Sequence, residues 1–507
     1  MYRRRTYTVI GGVLCAWCLF LLGGCTPSRS AYFEKFRKRQ AEQFSEKATQ
    51  TDLASLKKEH DGEQAPLISG ELPLADAARY ALALNPQLEA TLKKRMQAEG
   101  RKLEAYSEAL PKLDAQAGYT RLHQLRTVNL GTRSFQVGEK DNYSFTVRLT
   151  QPLYKGGAMV IAQRAAALFT YLQDELVRGQ VQNVLRRVAD AYYSALLAKQ
   201  LIEVQKTTLE AARAHYDAVK SNRKQGTATR YDVLRARVEV ANYEARLLEQ
   251  KNQYDTAKAT LLRTMGVSQN SEVTLVTDFE FEPQERSFSK AARTAFKNRP
   301  DIYRAGIAVD LQSEDLRRAR SRYLPRIHAF FEDAWSRPDP FTDEQDWGDE
   351  KTMGIQLEWP LFAGLGREGR VTQARARLEE KRKQRRATRQ KALLEVRNAL
   401  NELQNAVELV KSQELNVERA KEAHKLLKTG YREGVNTEVE ILDATAALTE
   451  AKGQYYEAMY KYTMARIRLQ DAMGVLGPSP GSTKHPQNLN VPEALRPSAE
   501  KKDSEEK

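Results

Sequence analysis

The residues whose spacing most resembles a chemical motif are glycines. Gly364-Leu365-Gly366-Arg367-Glu368-Gly369 fits G-x-G-x-x-G, the pattern that lets a backbone approach a pyrophosphate at the start of a helix. That use needs a helix returning to a second strand, whereas here a helical stretch of roughly 60 residues follows and leads into another helix. The matching place in the first half, Lys155-Gly156-Gly157-Ala158, lacks the spacing. These glycines therefore read as a flexible junction. No G-x-x-x-x-G-K-[ST] loop exists, so the chain carries no nucleotide-hydrolysing motor of that type. His60, His123, His215, His328, His424 and His485 are dispersed without metal-ligand spacing, and Cys15, Cys18 and Cys25 all lie near the N-terminus. No nucleophile and base stand together. The expectation is a protein without catalytic residues, metal or cofactor.

The N-terminus offers chemistry of another kind. Arg3, Arg4 and Arg5 precede an apolar run from Val9 to Leu22, which ends in Leu22-Gly23-Gly24-Cys25. The run is short of the roughly 20 residues a spanning helix needs, and reads as a signal peptide over 1–24. The small residues before Cys25 resemble the bacterial lipoprotein box, in which that cysteine is lipidated and becomes the new N-terminus. Thr26 in place of Asp favours outer-membrane sorting. Only Cys25 would survive cleavage, so an exported chain must be held by packing and assembly instead of disulfides. Losing three arginines lowers the formal +15 by three. The remaining charges are scattered along helical stretches and read as solvated faces, which argues against nucleic acid.

The bulk of the chain is written twice. Pro152-Leu153 returns as Pro360-Leu361, Gly156 as Gly364, Gly226 as Gly434 and Met265-Gly266 as Met473-Gly474, all 208 positions apart. An earlier block repeats at 214: Ala77-Ala78-Arg79 with Ala291-Ala292-Arg293, Pro86 with Pro300, and Leu110-Pro111 with Leu324-Pro325. This predicts a first repeat over 72–283, with a strand hairpin at about 112–153 and helices at about 157–265, and a second over 284–477, with a hairpin at about 326–361 and helices at about 364–473. Residues 25–71 read as a tether and 478–507 as a disordered tail.

No proline interrupts 153–282 or 361–477. Each stretch holds a very long helix, a break at Gly226 or Gly434, and a returning helix. At 1.5 Å per residue the longer helix spans on the order of 100 Å. The stripe Leu234, Val238, Ala241, Ala245 and Leu248 on the returning helix predicts a face toward a partner helix, and two such rods joined by a short turn form an antiparallel coiled-coil hairpin. Ahead of each rod lie alternating strands. Tyr143, Phe145, Val147 and Leu149 alternate with polar residues, as do Met353, Ile355, Leu357 and Trp359, with partner strands from Leu113 and Ile327. Their length, single apolar face and terminal aromatics fit transmembrane strands. Four strands cannot close a barrel and open edges are forbidden in lipid, so copies must share one. Cyclic assembly gives eight strands for a dimer and twelve for a trimer.

These paired elements resemble the TolC-like outer-membrane efflux family, in its lipoprotein OprM/CusC-like branch. The resemblance rests on Asn85-Pro86 and Asn298-Arg299-Pro300-Asp301, on Leu110-Pro111 and Tyr323-Leu324-Pro325, on Gln151 to Gly157 and Trp359 to Gly364, on Gly226 to Ala236 and Gly434 to Ala444, and on the closing Met-Gly pairs. It implies an internally duplicated α+β membrane protein: a trimeric twelve-stranded outer-membrane β-barrel, four strands per chain, continued by a periplasmic α-helical coiled-coil barrel. The function implied is the passive exit duct of a tripartite export system. Its partners would be outer-membrane lipid, a periplasmic adaptor and an inner-membrane transporter of RND, ABC or MFS type. Pro152, Gly156, Gly157, Pro360 and Gly364 would mark the barrel-to-helix junction, and Gly226 and Gly434 the periplasmic tips. The resemblance also gives Tyr431, Glu440, Asp443 and Asp232 gate positions, with Asn436 standing where well-known members carry an arginine. Thr437-Glu438-Val439-Glu440 is equally a helix-capping box and Thr229 to Asp232 a weaker one, which leaves Asp443 as the freer carboxylate. The competing expectation is a periplasmic coiled-coil adaptor or structural lipoprotein, and an enzyme is the weakest.

Overall fold

The computed structural model describes residues 65–130, 133–283, 287–339 and 346–477. The expected signal peptide, Cys25, most of the expected tether and the expected tail from 478 onward lie outside the described residues.

Two prolines open the two halves in the same way. A residue before proline is pushed out of the helical region, and Asn85 and Arg299 both sit at φ −67° with ψ near 120°. A short helix therefore stops at each and a longer one begins with proline at its first position: α1 Leu74–Leu84 then α2 Pro86–Ser107 in the first half, α5 Phe288–Asn298 then α6 Pro300–Ser321 in the second. These four helices were not anticipated from the sequence. Ser69–Leu72, partly within the stretch expected to form a tether, is strand β1 and pairs in parallel with β6 (Glu272–Leu275).

Pro111 and Pro325 close α2 and α6, and strands follow. β2 (Lys112–Arg121), β5 (Asp141–Lys155), β7 (Arg326–Arg337) and β8 (Gly348–Glu358) form one antiparallel sheet in the order β2-β5-β7-β8. The six residues by which the first hairpin exceeds the second fall where β3 (Arg126–Leu130) and β4 (Arg133–Val137) add a small hairpin of their own. Register aligns the alternation across all four strands. Leu113, Leu149, Phe331 and Met353 form one apolar row, and beside it Asp114, Arg148, Glu332 and Thr352 form a row pointing the other way. Apart from the start of the rod after β5, the strands pack mainly on one another, so no helical layer covers the apolar face. Met353 is 81% and Ile355 72% exposed.

The strand-to-helix junctions differ in construction. At Pro152 the β5–β7 register slips, which suits a residue with no N–H to give. Gly156 has φ +61°, and a Cβ there would lie 2.4 Å from the Ser321 carbonyl. In the second repeat Gly364 is followed by Leu365, the one non-glycine residue with positive φ among the described residues. Arg367 holds that turn by donating to the carbonyls of Pro360 and Leu361 at 2.6 and 2.8 Å.

The rods α3 (Ala158–Lys224) and α7 (Gly366–Arg432) are 67 residues each. Their returns, α4 (Arg230–Met265) and α8 (Glu438–Ala472), are 36 and 35 residues. Each hairpin is thus two rods of unequal length. The upper half of a rod is covered by α2 or α6 instead. The closing Met-Gly pairs lock this arrangement. Gly266 (φ +80°) would bring a Cβ 2.4 Å from the Leu84 carbonyl, and Gly474 (φ +72°) 2.8 Å from the Arg299 nitrogen. At the same corners Asn85 donates to the Thr264 carbonyl at 2.9 Å and Arg299 to the Ala472 carbonyl at 3.0 Å. Two different side chains satisfy the same orphan carbonyl at the end of a helix.

The stripe expected on α4 to face a partner helix does not face α3 of its own chain. Leu234, Val238 and Leu248 are 50–62% exposed. The face that meets α3 carries Ala236, Val240, Tyr243 and Leu247 instead. A helix with apolar residues at two adjacent three-and-four spacings can bury either stripe, and the hairpin turn selects which.

Candidate functional site

Both tips are built from glycine and a cap. Gly226 and Gly434 have φ +80° and +77°, a left-handed conformation that ends a helix without steric cost. Thr229 and Thr437 then start α4 and α8 with complete capping boxes. The Thr229 amide donates to Asp232 at 2.7 Å and its hydroxyl accepts from the Asp232 amide at 3.2 Å; the Thr437 amide donates to Glu440 at 2.7 Å. Both carboxylates are held below their usual range, Asp232 chiefly by the Thr229 hydroxyl and Glu440 chiefly by the Thr437 amide. Asn436 serves its own turn: its side chain donates to Glu440 at 3.3 Å and its amide to the Gly430 carbonyl. The side chain lies where a Cβ on Gly430 would be. Asp443 is exposed, one turn beyond Glu440.

Four side chains from four helices meet just above the tips. The Tyr431 ring (α7) lies 5.6 Å from that of His215 (α3), and His215 Nε2 is 3.5 Å from Glu438 Oε1 (α8). Burial holds His215 below its ordinary value, so at neutral pH this contact is not an ion pair. Burial, reinforced by the charge of Asp232 (α4), pushes Glu438 up to about 7. Tyr431 is raised by burial and then by the charges of Glu438 and Asp232. Tyr431 and Asp232 are thus brought into one cluster, while Glu440 and Asn436 are spent on the turn and Asp443 stands apart. His215 and Glu438 were missed as site residues. Glu438 lies inside the capping sequence without being its reciprocal carboxylate, but nothing local in the sequence ties it to a histidine 223 positions away.

The family model for the outer membrane efflux protein matches this chain twice, over residues 77–267 and 291–475. The chain belongs to the outer membrane efflux protein family. Each match falls within one copy of the duplication. Among relatives of this family, the alkaline protease secretion protein AprF of Pseudomonas aeruginosa is 26% identical over 415 residues, 80% of this chain and 85% of that protein. The outer membrane protein TolC of Escherichia coli is 23% identical over 417 residues, 80% and 82% of the two chains. A crystal structure of CusC superposes with TM-score 0.68 at 17% identity, covering 80% of this chain and 92% of that one, and so shares its fold. Membership in the outer membrane efflux family sets aside the adaptor and structural-lipoprotein readings. No described helix is long and apolar enough to cross a membrane.

Proposed function

We propose that this outer membrane efflux protein works as the exit duct of a tripartite export system, conducting cargo passively from an inner-membrane transporter across the periplasm and outer membrane. The observation that carries this reading is the four-stranded sheet, which aligns Leu113, Leu149, Phe331 and Met353 in one apolar row, is open at β2 and β8, and is continued by helices on the order of 100 Å long. An open edge in hydrocarbon leaves backbone groups unpaired at several kcal/mol each, so copies must join edge to edge. Three copies give a twelve-stranded barrel over a helical tunnel, anchored by lipid on Cys25 and docked below by a periplasmic adaptor. The transporter would be of RND, ABC or MFS type. AprF is named for secreting a protease, and a folded or unfolded polypeptide is one cargo such a tunnel would pass. Residues 72–283 and 284–477 act as its two repeats.

At the tips, the Tyr431 and Asp232 cluster holds the helices together and Asp443, repeated by symmetry, lines the narrowest ring. Symmetry-related carboxylates around one axis attract cations. The detergent-purified protein is expected to be trimeric and to form channels in planar bilayers, with Asp443→Ala reducing cation preference. A soluble monomer without channel activity would sink the proposal.

A further inference from the structure

The seam between the two repeats has an unfilled duplicate. Near the top of the rod, α3 grips the second repeat with two side chains. Arg178, fully buried, donates to the Asn298 carbonyl and lies 5.7 Å from the Tyr303 ring. One turn on, Gln182 donates to the Gly474 carbonyl at 2.9 Å. Gly179 between them would place a Cβ 3.8 Å from that of Pro300, an ordinary contact. Lower down, α8 seats on the same rod, with the Thr449 and Thr208 hydroxyls 2.9 Å apart and Tyr460 donating to Asp190 at 2.9 Å.

Advanced by 208, the grip on α3 becomes Arg386, Ala387 and Gln390 on α7. The arginine and glutamine are retained, and alanine is the side chain that the spacing beside Pro300 admits. Yet Arg386 and Gln390 are exposed, and neither side chain has a hydrogen-bond or ion-pair partner among the described residues. α7 makes no substantial contact with α2 or α4 of its own chain, the helices that correspond to the α6 and α8 gripped by α3. The receiving positions have counterparts as well. Asn298, Tyr303 and Gly474 correspond to Leu84, Glu89 and Gly266, so a carboxylate stands where the arginine would arrive. Glu175, which binds Arg178 from within α3, is Lys383 in α7, which leaves Arg386 without that local acid. The exposed stripe on α4 completes the correspondence: Ala241 is the counterpart of Thr449, which lies in the seam.

We propose that a second copy of this chain fills the seam, its α7 packing on α2 and α4 so that Arg386 pairs with Glu89, and Gln390 with the Gly266 carbonyl, of the neighbouring copy. The step from repeat to repeat is then the step from copy to copy. A head-to-tail contact of that kind closes into a ring when the rotation fits. This inference rests on the cyclic assembly proposed above and specifies its interface.

The test uses the full-length protein in detergent. Arg386→Glu and Glu89→Arg are each expected to raise the dissociation constant of the multimer by about tenfold or more, measured by native mass spectrometry or light scattering, and the exchanged pair E89R/R386E to recover most of the loss. Glu89→Cys with Arg386→Cys is expected to give an oxidant-dependent ladder of linked chains ending at the full multimer, absent from either single variant. A wild-type multimer with no coupling between the two positions and no ladder overturns the latch. A wild-type chain that is monomeric in the same measurement overturns the cyclic duct itself.

Discussion

At the level of single residues, the tip cluster is sensitive to pH in a defined direction. Glu438 titrates near 7 in the folded tip against an ordinary 4.5, so the folded arrangement prefers its protonated form. The resulting stabilisation is complete below 4.5 and is lost as pH rises through about 7. His215 works the other way: burial favours its neutral form, so its contribution is present above its ordinary 6.5 and lost as pH falls through its depressed value. The tip is therefore held most firmly in mildly acidic solution. Raising the pH from about 6 to about 8 should increase channel conductance, and Glu438→Gln should flatten that response while leaving the channel intact. An unchanged slope in the variant would mean that Glu438 does not set this response. Asp232 does not produce the same slope, because the Thr229 contacts keep it ionised well below this range.

At the level of elements, equivalent glycines carry unequal loads. Gly226 and Gly266 share φ +80°, but a Cβ on Gly226 would meet nothing within 4 Å while one on Gly266 would strike the Leu84 carbonyl. Gly226→Ala should cost only the left-handed penalty of roughly 1–2 kcal/mol, localised at a tip. Gly266→Ala should cost that penalty plus the displacement of the α1–α2 corner, and should lower the urea midpoint clearly more. Equal midpoints would mean that the corner yields freely. The same corner explains why α1, α2, α5 and α6 escaped the sequence reading. The Asn-Pro and Arg-Pro breaks were visible as repeat motifs, but what they join is decided by Thr264 and Ala472, well over 150 residues away. The strands were more legible, because alternation records a two-sided environment residue by residue.

At the scale of the whole molecule, the sheet determines where the protein can reside. Its apolar rows face no other layer of the chain, and aromatic rings gather at the loop end: Tyr119 with Tyr143 at 5.1 Å, Tyr143 with Trp347 at 6.4 Å and Phe145 with Trp335 at 5.4 Å. Trp359 lies at the opposite end, donating to the Tyr323 carbonyl at 3.1 Å. This is the pattern of two interfacial girdles around a lipid-facing band. Ile355→Lys, on the apolar face, should cost about 2–4 kcal/mol per copy on insertion and deplete the multimer from outer-membrane fractions. Thr352→Lys, on the other face, should be tolerated. Equal depletion by both would mean that the face assignment is wrong.

The sequence by itself determined what is settled within a few residues or by strict repetition. Capping boxes at Thr229 and Thr437, tip glycines, proline breaks and strand faces are local, since each is satisfied within about a turn or by the period of the strand. The doubled offsets further determined that the two halves share one plan of strands, rod and returning helix. Only the tertiary structure decided which of two stripes on α4 is buried, that Asn85 and Arg299 satisfy equivalent carbonyls with different chemistry, and that His215 meets Glu438. These depend on helices that are not sequence neighbours coming into register, and a helix carries the same pattern along its length whichever neighbour it meets.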